Sequence, residues 1–155
     1  MVMRQRKQVK ALVTEARAAV ESCAGLNSRR AARLITRFLE ARMAATGLSL
    51  AQFGLMTQIA AAEDDTVNGL VQRTGLDQTT LSRNLHALER DGLVEIAVIE
   101  KDLRRRAVWL TEKGARALEA ALPAWRRAHQ ALAEIIDLRA VGRLAAAAVA
   151  LEAGR

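Results

Sequence analysis

The sequence holds one cysteine, one proline, no tyrosine and two histidines, and its larger aromatic side chains are two tryptophans and two phenylalanines. A lone thiol, Cys23, cannot close a disulfide within the chain, so nothing calls for an oxidising compartment and a cytoplasmic location is the expectation. No stretch approaches the roughly 18 uncharged apolar residues of a membrane span. The basic opening Met1-Val-Met-Arg-Gln-Arg-Lys7 leads into a polar amphipathic run instead of an apolar leader core, so no signal peptide is read and no membrane partner is expected. Also missing are a glycine-rich phosphate cradle, a nucleophile elbow and any His/Cys/Asp cluster at metal-ligand spacing. An enzyme, a cofactor and a metal are therefore not expected.

Against these gaps stand 155 residues that are 51% hydrophobic and 26% charged, a balance that favours a folded domain over disorder. The 32 alanines and 21 leucines favour helices, and a single domain is the expectation at this length. The net charge of +7 suggests an anionic partner. Its distribution is uneven, with 8 basic and 2 acidic residues among the first 33, so bulk charge alone decides little.

Apolar residues recur at helical spacing along most of the chain. Val9, Leu12, Val13, Ala16 and Val20 define a first helix ending near Cys23. After Gly25 and Asn27, Ser28 is read as the cap of a second helix, with Leu34, Ile35, Phe38 and Leu39 on one side and Arg29, Arg30, Arg33 and Arg37 on the other. That helix stops at Thr46-Gly47. Ser49 caps a third, carrying Leu50, Phe53, Leu55, Met56 and Ile59 up to the acidic break Glu63-Asp-Asp65.

Thr66 or Asn68 opens a short helix that ends at Thr74-Gly75, and Asp77 caps the next, Gln78 to Arg90. The run Leu93 to Ile99 is rich in β-branched residues, Glu100 to Arg105 is a charged tip, and Arg106 to Leu110 returns, which together predict a β-hairpin. From Thr111 a long helix extends to about Ile136, bent at Pro123. An alanine-rich helix from Leu138 to Glu152 closes the chain.

Two helices joined by a tight glycine-containing turn and followed by a hairpin with a cationic tip are what a winged helix-turn-helix requires. With Leu81, Leu85 and Leu88 inward on the Gln78 to Arg90 helix, a step of about 100° per residue leaves Thr79, Ser82, Arg83, His86 and Arg90 outward. Serine and threonine hydroxyls can meet phosphates or base edges, and Arg83 has the fork that reads guanine O6 and N7. Gln78, Thr79, Thr80, Ser82, Arg83, Asn84 and His86 are thus the candidate DNA contacts of this helix. At the hairpin tip Lys101, Asp102, Arg104, Arg105 and Arg106 form a cationic protrusion suited to the minor groove, with Asp102 orienting a neighbouring arginine. A solvated charged turn is the ordinary explanation of such a run; its place directly after the helix pair favours DNA.

These segments resemble the MarR (multiple antibiotic resistance regulator) family. Leu48-Ser-Leu-Ala-Gln-Phe53 resembles the stretch leading into the family's second core helix, and Leu76-Asp-Gln-Thr-Thr-Leu-Ser-Arg83 the opening of its recognition helix. Leu88-Glu-Arg-Asp-Gly-Leu-Val94 is similar to the exit into the wing, Asp102-Leu-Arg104-Arg-Arg106 to its D-x-R-x-R/K wing motif, and Leu110-Thr-Glu-Lys-Gly114 to the return into the long helix. The similarity runs from about Ser28 to Ile136 in the family's order. It departs at Gly69 and at the bulky Val71 inside the short helix, and in a basic helix before Ser28 that is longer than the family core requires.

The resemblance implies a mostly α fold with a small β-hairpin, a winged helix-turn-helix flanked by N- and C-terminal dimerisation helices. Residues 1–47 and 111–155 would form the dimerisation region and 48–110 the DNA-binding lobe. It further implies a homodimer reading a pseudo-palindrome in double-stranded DNA, with half-sites about 34 Å apart. Such a protein would probe for a small aromatic or phenolic effector that releases it from its operator, and repression is the usual outcome.

Cys23 has two readings, a peroxide-sensing thiol near Arg29 and Arg30 or a small buried hydrophobe in the dimer interface. For His129, beside Trp125, helix packing competes with lining a ligand pocket. The remaining alternative is a winged-helix interaction module that has lost DNA binding, against which the donors Thr79, Arg83 and Arg104 argue.

Overall fold

A computed structural model of the chain describes residues 2–62, 66–99 and 102–153, with side chains described for 10–62, 66–98 and 106–151. The chain divides into two compact units, 1–37 and 38–155. In the first, α1 (Val2–Ser22) is followed after Cys23 by α2 (Ala24–Met43), which crosses into the second unit. The expected start of α2 at Ser28 is corrected: Gly25, Asn27 and Ser28 all lie inside the helix. The Ser28 hydroxyl donates back to Gly25 O at 3.4 Å and caps nothing, while Asn27 Nδ2 donates to Glu21 O at 2.9 Å and ties the two helix ends together.

The second unit is built from helices whose starts are set by side-chain caps. A short 3-10 turn, Ala44–Thr46, ends α2, and Ser49 then opens α3 (Leu50–Ala60) with a reciprocal capping box. Ser49 Oγ accepts from Gln52 N at 3.2 Å and Gln52 Oε1 accepts from Ser49 N at 2.9 Å. Thr66 caps α4 (Val67–Thr74) through Gly69 N, and Asp77 caps α5 (Gln78–Arg90) through Thr80 N. Between them the turn needs a left-handed residue, supplied by Gly75 at φ 62°, whose amide closes α4 on Val71 O.

The hairpin pairs β1 (Val94–Ile99) antiparallel with β2 (Asp102–Leu110). Val94 faces Leu110, Ile96 faces Val108 and Val98 faces Arg106, and the register shifts after Val98. The return strand thus begins at Asp102, not at the expected Arg106, so most of the charged stretch is strand and the connection is shorter. Thr66, itself buried, forms an isolated antiparallel bridge to Ala107, which fastens the start of α4 to the hairpin.

Thr111 caps α6 (Glu112–Ala133), which runs unbroken through Pro123 and stops at Ala133, short of the expected Ile136. The alanine-rich tail is two pieces, α7 (Leu138–Ala148) and α8 (Ala150–Ala153), parted at Val149. The core of this unit is the meeting of α3 with α6, α4, α5 and β2. Met43, Met56, Leu70, Leu81, Leu88, Val94 and Val108 are the largest of its fully buried side chains. Phe53 from α3 stacks on Trp125 of α6 at 5.9 Å, and Trp125 meets His129 at 4.8 Å, so these rings pack the α3 and α6 contact.

Candidate nucleic-acid interface

The geometry of α5 follows from three leucines. Leu81, Leu85 and Leu88 are 1%, 3% and 0% exposed, which fixes the rotation of the helix about its axis and turns the intervening residues out of the protein. Gln78, Thr79, Arg83 and His86 are exposed, and Ser82 and Asn84 are half-buried beside them. Gln78, Thr79, Ser82 and Arg83 line one shallow groove on this outer face. No carboxylate of the chain pairs with Arg83 among the described ion pairs, whereas His86 Nδ1 lies 3.4 Å from Glu89 Oε2 on the same helix.

The N-terminus of α5 is already occupied. Asp77 Oδ1 accepts from Thr80 N at 2.9 Å, and Thr80 Oγ1 donates to Asp77 Oδ2 at 2.6 Å. The Thr80 hydroxyl and amide hold the Asp77 carboxyl below its ordinary value by stabilising the charged form. An anionic cap answers the helix dipole, so the backbone amides at the start of α5 offer a phosphate less than an uncapped helix would. Thr80, expected as a DNA contact, commits its hydroxyl proton to this cap while its side chain stays exposed.

A cavity of about 160 Å³ lies between the start of α4, the flank of α5 beside Leu81 and Leu85, and the hairpin. Asn68, Gln78, Ser82, His86 and Arg106 line it together with Ile96. The fold therefore brings Arg106 of β2 to the same place as Gln78, Ser82 and His86 of α5. Asn68 joins them without having been expected as a contact; its sequence signal was only that of a possible helix start. Asp102, Arg104 and Arg105 lie on β2 with side chains outside the described residues, and Lys101 lies outside the described residues altogether.

Cys23 is half-buried at the break between α1 and α2, its amide donating to Ala19 O and its carbonyl accepting from Asn27 N. Among the described residues no group of three His, Cys, Asp or Glu side chains converges as a metal site would require.

A capped helix with an outward row of donors, set by a three-residue turn behind a shorter helix and followed by an antiparallel hairpin, defines a winged helix-turn-helix. The profile of the MarR family matches residues 46–105, from the end of α2 through the helix-turn-helix and into the second strand of the hairpin. The solved transcriptional regulator MosR of M. tuberculosis, in complex with DNA, is 33% identical, with 86% of this chain and 99% of that one aligned at a TM-score of 0.78. Transcriptional regulator HosA of Escherichia coli is 31% identical over 99 residues, 64% of this chain and 67% of that protein. An HTH-type transcriptional regulator of Bacillus cereus is 36% identical over 76 residues, 49% of this chain and 50% of that protein, so the match spans half the length of that relative. The chain belongs to the MarR family.

Proposed function

We propose that the protein is a sequence-specific regulator of transcription that binds double-stranded DNA as a homodimer, reads a pseudo-palindromic operator, and is released by a small aromatic or phenolic effector. The observation that carries this reading is the outer face of α5, where Gln78, Thr79 and Arg83 are exposed on a helix whose opposite side is locked into the core. A buried side that cannot rotate keeps the donors aimed in one direction, which is what base reading in the major groove demands.

The parts divide the work as follows. Arg83 reads a guanine edge, Gln78 and Thr79 meet neighbouring bases or sugars, and Ser82, His86 and Arg106 hold phosphate. On the wing, Arg104 and Arg105 enter the minor groove, with Asp102 orienting a neighbouring arginine. Repression follows where the operator overlaps a promoter, and the effector acts by favouring a dimer whose recognition helices no longer match the half-sites. Binding to chromosomal DNA puts the protein in the cytoplasm. No described helix is long and apolar enough to cross a membrane.

The test is fluorescence anisotropy of the purified protein against DNA from upstream of its own gene, with a scrambled duplex of the same length, at several salt concentrations. The expected result is selective binding that weakens steeply with salt, since each neutralised phosphate releases bound cations. Equal affinity for the two duplexes sinks sequence-specific reading at that site and favours the interaction-module alternative.

A further inference from the structure

The turn that ends α5 presents three carbonyls in succession, and all three are taken by the opening residues of α6. Asp91 O accepts from Lys113 Nζ at 2.6 Å, Gly92 O accepts from Thr111 Oγ1 at 2.7 Å, and Leu93 O accepts from Thr111 N at 3.1 Å. The amides of the same three residues turn back onto α5, donating to Ala87 O, Glu89 O and Leu88 O at 2.8 to 3.0 Å. Gln52 Nε2, from the capping box of α3, reaches the Asp91 carboxylate at 3.5 Å. Gly114 lies so close that a Cβ built on it would stand 1.9 Å from Leu93 O. Three helix ends therefore meet at one node with every backbone polar group of the turn engaged.

Neither helix needs all of these bonds for its own sake. The end of α5 is closed by its own amides, and α6 is capped when Thr111 Oγ1 accepts from Gly114 N at 2.9 Å. What the bonds from Thr111 and Lys113 add is a fixed direction of one helix relative to the other. Direction matters because α5 is 13 residues long, or about 20 Å at 1.5 Å per residue. A tilt of about 10° at its C-terminal end carries Gln78 about 3.4 Å, the rise of one base pair.

We propose that this node sets the half-site spacing the protein accepts, with Thr111 and Lys113 as positioning residues that hold α5 at a fixed angle to α6. The inference rests on the dimeric DNA-binding reading above. Without the node, α5 keeps its face and its donors but gains freedom to follow half-sites one base pair nearer or farther.

The experiment selects a duplex from a randomised pool with the wild-type protein, then measures affinity for that duplex and for versions with one central base pair inserted or removed. Three proteins are compared: wild type, Thr111→Ser, and the double variant Thr111→Asp with Lys113→Met. Aspartate keeps an acceptor for Gly114 N and so keeps the α6 cap, but it cannot donate to Gly92 O; methionine keeps the stem of Lys113 without its donor. Neither position touches the outer face of α5.

The double variant is expected to bind the selected duplex within about threefold of wild type while its spacing penalty shrinks about fivefold, the size of coupling carried by such a bonded network. Thr111→Ser should retain the wild-type penalty. A folded double variant with the wild-type penalty overturns the proposal, and so does a uniform loss of affinity on all three duplexes, which would mark the node as structural support alone. Should the double variant fail to unfold cooperatively, Lys113→Met alone is measured against the same criterion. A pool that yields no consensus with the wild type overturns the DNA-binding reading and this inference with it.

Discussion

Arg83 and Asp77 show how differently two charged residues on one helix are used. Arg83 is exposed and projects from the middle of the outer face, where its fork can meet two acceptors on one base. A good bidentate pair discriminates by about 1 to 3 kcal/mol, so Arg83→Ala should weaken binding to a selected operator by roughly 5- to 150-fold while affinity for scrambled DNA falls much less. Anisotropy on both duplexes measures this, and equal loss on the two would reassign Arg83 to phosphate. Arg83→Lys should keep phosphate affinity without restoring base preference, because an ammonium lacks the planar fork. Asp77 works inside the protein instead. Its carboxyl is held below the ordinary aspartate value by the Thr80 hydroxyl and amide, so the folded state binds its proton less readily than the unfolded state. The stability it contributes is thus fully present above the ordinary carboxylate range and is lost as pH falls through the folded-state value. The Thr80 amide resonance should titrate with a midpoint below that of a free aspartate, and Asp77→Asn should remove that titration while keeping an acceptor for the cap. A midpoint at or above the ordinary value would mean that the cap does not form in solution.

Helix ends are the part of this fold that sequence makes plain. Ser49 and Asp77 each accept from a backbone amide at the start of the helix they precede, as expected; Thr66, one of two candidates, and Thr111, expected as the first residue of its helix, cap in the same way. The three leucines of α5 likewise foretold which residues face out. Other boundaries were hidden because they depend on partners distant in sequence or on competing local bonds. Gly25 and Asn27 look like a break, yet the break is at Cys23, and Asn27 spends its side chain on Glu21 O while remaining helical. Nothing local announced that β2 would begin at Asp102, since the register shift after Val98 is a property of the pair of strands and not of either alone. Of the candidate site, the outer row of α5 was readable; the convergence of Asn68 and Arg106 on it requires the packing of α4 and the hairpin. Gly114 also escaped notice as a site of close approach. Adding a methyl there forces the first turn of α6 away from Leu93 O, so Gly114→Ala should destabilise the fold by about 1 to 3 kcal/mol and lower the melting temperature by several degrees. An unchanged melting temperature would show that the turn yields at little cost.

The molecule as a whole carries apolar surface that a solitary chain would leave wet. In the first unit Leu12, Val20 and Leu34 are 64%, 60% and 53% exposed, and in the second Ile135, Leu144, Val149 and Leu151 are 62% to 77% exposed. On α7, Val141 and Leu144 stand three residues apart with Ala145 and Ala148 on the same side, which is a stripe and not scattered surface. Burial of apolar area is worth about 25 cal/mol per Å². A lasting homodimer usually covers well over 1,000 Å², and on the proposed dimeric reading each set of exposed leucines and valines is a candidate contributor. A carboxylate placed in the stripe would have to be desolvated in such a contact, at a cost of several kcal/mol where it finds no partner. Leu144→Glu should therefore shift the protein toward monomer at micromolar concentration without unfolding the second unit, whose core does not include Leu144. Sedimentation equilibrium reads the first effect and circular dichroism the second. Affinity for a two-half-site operator should fall together with dimerisation, because two linked recognition helices share a high effective concentration that separate monomers lack, while affinity for an isolated half-site should stay the same. A variant that remains dimeric and binds the full operator like the wild type would place the subunit contact elsewhere on the chain.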